Sequence, residues 1–224
     1  YLVWGEQGSW GLALDKPEAL GIFLPEWVEI LNRDYNHPAI IGWCPLNETR
    51  SGSHRGHHTG FVRTVYELTK KLDPTRPVID TSGYTHVVTD MYDIHDYDQD
   101  PVSFHRRHQQ LPENAFVHFP QEEKYQGQPY WVSEYGGIWW QPQDKSEMAW
   151  GYGQRPSTEE EFLERYGALT RVLLANPEIC GFCYTQLYDV EQEVNGLYTY
   201  RRETKFSPSQ IRAINSEPAA YEKD

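Results

Sequence analysis

Short apolar runs alternate along the chain with longer stretches in which apolar residues recur every three or four positions. Tyr1-Leu-Val-Trp4, closed by Gly5, is too short for a helix and reads as a strand end. Residues from Pro25 to Arg33 predict a helix, with Pro25 at its first position and Trp27, Ile30 and Leu31 on one face. Ala39-Ile-Ile-Gly-Trp43, entered through His37-Pro38, predicts a second strand. From Thr59 to Leu72, Phe61, Val62, Val65, Leu68 and Leu72 fall at helical spacing until Asp73-Pro74 ends the pattern. Pro77-Val-Ile-Asp80 and the more polar Met91-Tyr-Asp-Ile-His95 predict further strands, and Asp96 to Pro120 reads as a long loop with room for one short helix.

Pro129-Tyr-Trp-Val-Ser133 predicts a strand running directly into Glu134, after which Gly136-Gly137 releases a Trp-rich loop reaching Pro156. Ser157-Thr-Glu-Glu160 fits a capping box, opening a helix with the stripe Phe162, Tyr166, Leu169 and Leu173 that Asn176-Pro177 terminates. Ile179 to Tyr184 is the next strand, and a last helix begins near Ser207-Pro208. Six strands alternating with helices predict a parallel α/β sheet or barrel, with chemistry at the C-terminal ends of the strands. The 224 residues suit one domain, 1–224, without a solenoid period.

Charge narrows the partners: 20 Lys and Arg against 33 Asp and Glu leave a formal net charge of -13, which repels phosphate backbones and anionic headgroups. Neither nucleic acid nor membrane is an expected partner, and no apolar run reaches membrane length. Aromatics at 14% exceed what a core needs and suit a pocket for a flat-faced ligand such as a sugar. Three Cys form no disulfide framework; Cys180-Gly-Phe-Cys183 lies in what reads as a buried strand, its thiols on opposite faces, and a reducing, cytoplasmic compartment is expected. The loop histidines His54, His57 and His58 lack a regular ligand geometry, so no metal site is assigned to them.

Glu48, in Pro45-Leu-Asn47-Glu48, and Glu134 each follow a strand, so a barrel would bring both to one rim. Cleaving a glycosidic bond with retention requires two carboxyls about 5 to 5.5 Å apart, and strand ends three strands apart can supply that spacing. Most strand-end acids are only solvated loop residues, and that alternative stands beside the catalytic one.

Three ordered segments carry a family resemblance. His37-Pro38-Ala-Ile-Ile-Gly-Trp43-Cys-Pro-Leu-Asn47-Glu48 resembles the acid/base segment of glycoside hydrolase family 2, the β-galactosidase and β-glucuronidase family. Tyr130-Trp-Val-Ser-Glu134-Tyr-Gly136 resembles its nucleophile segment, and Gly181 to Leu187 with Asp189-Val-Glu191 and Asn195 to Tyr200 resembles its last barrel strand and following loop. The resemblance implies a (β/α)8 TIM barrel, here a C-terminal portion covering about strands 3 to 8, with the first two strands and the preceding β-sandwich domains absent and sheet edges left open.

It further implies a retaining exo-β-glycosidase with Glu48 as acid/base and Glu134 as nucleophile, acting on a carbohydrate by double displacement. Asn47 would bond the sugar 2-hydroxyl, unless it is a turn Asn; Asn47-Glu-Thr49 also matches a glycosylation sequon. Tyr97 resembles the Tyr that bonds the nucleophile, with an ordinary loop Tyr as its alternative. His95 would contact substrate hydroxyls or simply pack. Tyr184 stands where many relatives carry Trp as a sugar floor and is otherwise a buried aromatic, while Trp139 and Trp140 would shape subsites or anchor their loop. No organic cofactor is expected, although some relatives bind Mg²⁺ or Na⁺, and a homo-oligomer is allowed. β-Galactosidase is the narrower expectation, since no Asn-x-Lys triplet follows that would grip a sugar carboxylate. The rival readings are β-glucuronidase or β-mannosidase specificity, a sugar-binding module without turnover, and a metal-dependent hydrolase using the histidines.

Overall fold

Parallel pairing begins at the first residues, where β1 (Val3–Glu6) lies beside β2 (Ile40–Cys44) with Gly5 opposite Trp43. The computed structural model describes residues 1–52, 56–141 and 148–222. The chain divides into two compact units, Tyr1–Ile94 with Val117–Tyr130 and His95–Phe116 with Trp131–Asp224.

In the first unit, α1 (Leu20–Asp34) and α2 (Thr59–Leu72) cover one core. Helix α1 starts five residues before the expected Pro25, because the apolar stripe already includes Phe23, which is buried with Trp27 and Leu31. That stripe outweighs the backbone hydrogen bond Pro25 forfeits inside the helix. Phe23, Trp27, Leu31, Trp43, Phe61 and Val65 pack together, and the two indoles cross edge to face at 6.0 Å. Their polar ends are satisfied: Trp27 donates to Thr69 Oγ1 at 2.8 Å and Trp43 to Asp73 Oδ2 at 2.8 Å.

The strand expected over Pro77–Asp80 reduces to single parallel bridges, Trp43 with Val78 and, further on, Asn47 with Ser82. Trp43 still donates to the Pro77 carbonyl at 3.0 Å and Ile79 to Trp43 at 2.9 Å, but on the other side Val78 donates to the Asp90 carboxylate at 2.9 Å. A side chain therefore takes the place of a neighbouring strand. Among the described residues five strands form where six were expected.

The boundary between units passes within β3 (Tyr92–Asp96) and β4 (Tyr130–Gly136). These strands and β5 (Ile179–Thr185) form a sheet in the order β3-β4-β5. The short helix allowed after Asp96 is α3 (Pro101–His108), with Pro101 in its first turn and Asp100 accepting from the Val102 amide. Helix α4 (Glu159–Leu174) packs against α3 and α5 (Pro208–Asn215). The box that opens α4 lies one residue later than expected: Thr158 accepts from the Glu161 amide, and Glu161 accepts from the Ser157 amide at 2.7 Å. The second core is aromatic, with Phe162 stacked on Phe206 at 4.2 Å and Tyr135 bonded to Thr170 at 2.8 Å. Among the described residues, no helix is long and apolar enough to cross a membrane.

Candidate active site

Asn47 and Glu48 belong to the first unit and follow β2. Ser82 donates to the Leu46 carbonyl and Glu48 donates to the Ser82 carbonyl, each at 2.8 Å, so backbone pairing continues to the acid itself. There the backbone turns: Glu48 has φ 53, a left-handed conformation costing a non-glycine residue roughly 1 to 2 kcal/mol. Glu48 is buried, and Thr49 beyond it anchors the turn through Thr81 Oγ1 at 3.1 Å and His57 Nδ1 at 3.0 Å. Asn47 is half-buried, and its Oδ1 has no hydrogen-bond partner among the described residues.

In the second unit, Glu134 lies within β4 with its side chain 27% exposed. The structure brings His95 and Tyr97 to it: His95 Nδ1 is 3.3 Å from Glu134 Oε2, and the Tyr97 hydroxyl donates to the same oxygen. Burial and the adjacent Glu134 charge push the Tyr97 phenol well above its ordinary range, which keeps it protonated as a donor. The same hydroxyl lies 3.3 Å from Thr185 Oγ1, at the end of β5. The Tyr97 ring stacks face to face on Tyr152 at 3.6 Å, and a Cβ at Gly137 (φ 58) would run into the Tyr152 ring. The loop after β4 returns to set this stack, since Tyr152 pairs with Ile138 and donates to the Gly137 carbonyl at 2.9 Å.

Tyr184 sits among protein groups. Its ring meets Tyr135 at 5.6 Å and Tyr166 at 4.9 Å, both edge to face, and a Cβ at Gly136 (φ 76) would overlap it. Its hydroxyl accepts from the Ile138 amide at 3.0 Å and donates to the Asn195 carbonyl at 3.2 Å. These contacts brace β4 beneath Glu134. Trp140 is buried against Phe206 and Phe162, whereas Trp139 is half-buried, with Arg155 over its ring at 5.7 Å and an indole N–H lacking a partner among the described residues.

Other candidates have structural partners. His57 Nε2 lies 3.0 Å from Glu122, and His58 caps α2 by accepting from Phe61; His54 lies outside the described residues. Cys180 and Cys183 are exposed, contrary to the expected buried strand, because β5 is at the edge of its sheet. The sequence reading missed Tyr152, Thr185, Gln186, Glu193 and Asn195. The strand-end rule that found Glu134 would have found Thr185; a side chain brought in by a loop leaves no periodic signal.

The family model "Glycosyl hydrolases family 2, TIM barrel domain" matches residues 4–166. A β-galactosidase of Vibrio cholerae is 30% identical over 116 residues, 48% of this chain and 10% of that protein. The human β-glucuronidase is 31% identical over 88 residues, 33% of this chain and 13% of that one. Among solved structures, a family 2 β-galacturonidase from Eisenbergiella tayi superposes with a TM-score of 0.70 at 17% identity, over 97% of this chain and 41% of its own. A β-D-glucuronidase of Dictyoglomus thermophilum gives 0.67 at 22% identity, over 92% and 37%. The chain thus spans well under half the length of these relatives.

Proposed function

The chain belongs to glycosyl hydrolases family 2, and from that premise we propose that it is the portion of a retaining exo-β-glycosidase barrel that carries both catalytic carboxyls. In this reading residues 1–224 supply about strands 3 to 8 of the (β/α)8 barrel, with β1, β2, the bridged 77–82 segment, β3, β4 and β5 in that order. The observation that carries the function is the seating of Glu134, held at one oxygen by Tyr97 and His95 and still open to solvent. A carboxylate so fixed can attack an anomeric carbon in line.

Glu134 displaces the aglycone to form a glycosyl ester, while Glu48 protonates the departing oxygen. Glu48 then takes a proton from the water that hydrolyses the ester, so the anomeric configuration is retained. Asn47, whose buried Oδ1 has no partner among the described residues, bonds the sugar 2-hydroxyl, where a contact strengthens in the transition state. Trp139 contributes a subsite wall, and Tyr184 acts by bracing β4. The two carboxyls suffice for this chemistry, and no organic cofactor enters it. A neutral, galactose-like sugar is the proposed substrate, supported by the likeness to β-galactosidases and by the net charge of -13.

The test is rescue by azide in the intact gene product. Glu134→Ala should lose turnover of every aryl β-glycoside by more than about a thousandfold, and azide should restore it as the α-glycosyl azide. Glu48→Ala should lose far less on substrates with good leaving groups, and azide should there give the β-glycosyl product. Normal activity in Glu134→Ala, or an inverted first product, would refute the assignment.

A further inference from the structure

A third carboxyl stands in the same unit as the proposed nucleophile and has no part in the two-carboxyl mechanism. Glu193 is half-buried on the loop after β5, in a strip of backbone pinned from two sides. Trp150 donates to the Gln192 carbonyl and Val194 to the Trp150 carbonyl, each at 2.8 Å, while Glu193 and Val190 exchange backbone bonds at 2.9 and 3.0 Å. The side chain is fixed as well: Asn195 Nδ2 donates to Glu193 Oε1 at 2.9 Å, and Gln186 Nε2 donates to Asn195 Oδ1 at 2.9 Å.

Two routes tie this group to Glu134. Gln186 follows Thr185, whose hydroxyl meets Tyr97, and Tyr97 donates to Glu134. On the other side, Trp150 packs edge to face on Tyr152 at 5.7 Å, and Tyr152 stacks on Tyr97. Three cations of these loops have other partners: Lys205 meets Asp189 at 2.6 Å, Arg155 lies over Trp139 and Arg202 over Tyr188.

We infer that Glu193 is a specificity-determining residue of the glycone site, accepting from a hydroxyl of a neutral sugar and excluding a uronic acid; this rests on the glycosidase reading above. Its Oε1 is already taken by Asn195, which aims the carboxyl without neutralising it. Burial first, and then the charge of Glu134, raise the Glu193 carboxyl above its ordinary range against the lowering effect of Asn195. The surroundings therefore resist a second negative charge, and a uronate would bring a third. A sugar hydroxymethyl instead offers a donor to a fixed acceptor at no charge cost.

The experiment compares p-nitrophenyl β-galactoside with p-nitrophenyl β-galacturonide, which differ only at C6, in the intact gene product. Wild type should favour the galactoside in kcat/KM. In Glu193→Gln the galacturonide-to-galactoside ratio should rise by about tenfold or more, and in Glu193→Lys further. Inhibition of wild type, which needs no variant to fold, should be at least about tenfold stronger with galactose than with galacturonate. An unchanged ratio in active variants, or equal inhibition by the two sugars, would overturn the role of Glu193 and leave the glycosidase reading standing. No hydrolysis of any aryl β-glycoside by wild type would overturn both.

Discussion

In the first unit Glu48 follows a bridge residue on a left-handed backbone, whereas in the second Glu134 lies inside a continuous strand whose neighbours are aromatic rings. The buried charges of the two units differ as well. His86, fully buried in the first unit, sits 2.7 Å from Asp80 Oδ1 and 2.9 Å from the Asp93 carbonyl. Burial opposes its charge, yet Asp80 and Asp93 outweigh burial and push it up to about 9. In the second unit burial dominates: it raises the Asp189 carboxyl and lowers the Lys205 ammonium, although the two are 2.6 Å apart. Around His86 in the first unit the charges reinforce one another, whereas the second unit tolerates at Asp189 and Lys205 an ion pair that burial disfavours. On the proposed assignment, a nucleophile at Glu134 needs a fixed position, which rings provide, and an acid/base at Glu48 must change its protonation state, which suits a polar turn.

The largest expected effect breaks the second unit's ion pair. Lys205→Met should destabilise by about 3 to 5 kcal/mol by stranding Asp189, while adding Asp189→Asn should recover much of that loss in urea titrations. Next comes the pH dependence of the first unit. Because the folded His86 pKa is raised above 6.5, its stabilisation is complete below pH 6.5 and is lost as pH climbs to about 9. Urea midpoints should fall across that window, and His86→Gln should flatten the slope. Tyr97→Phe removes the donor to Glu134 and should lower kcat about 10- to 100-fold with KM little changed.

The smallest effect is a reversal of sign. At position 48, Gly should be more stable than Ala by about 1 kcal/mol, because only Gly accepts φ 53 without strain. At position 134, within a strand, Gly should be less stable than Ala by about as much. Thermal melts of the four variants decide it, and equal signs would dissolve the contrast between the two sites.

Much of this was legible in the sequence where burial imposes a period. The stripe of α2, the strand before Glu134 and the helix stop at Asn176-Pro177 all follow from local pattern. Tyr97 and His95 were named as candidates from the resemblance, and their meeting at Glu134 depends on the tertiary contacts of β3 with β4. Pro77–Asp80 was overread because an apolar run cannot reveal that the Asp90 side chain would occupy its free edge. Glu193 went unseen for a related reason: its setting depends on Asn195, Gln186 and Trp150, which approach from two different loops.

The central claim is that Glu134 is the nucleophile, and trapping it is the most direct test. Incubation of the intact gene product with a 2-deoxy-2-fluoro-β-galactoside bearing a good leaving group slows both chemical steps but hydrolysis of the ester more, so the glycosyl-enzyme accumulates. Peptide mass spectrometry should then find one fluorosugar ester, on the peptide containing Tyr130 to Gly136 and at Glu134. An ester on Glu48 or another carboxylate, or turnover of the probe to an inverted sugar without any adduct, would contradict the account.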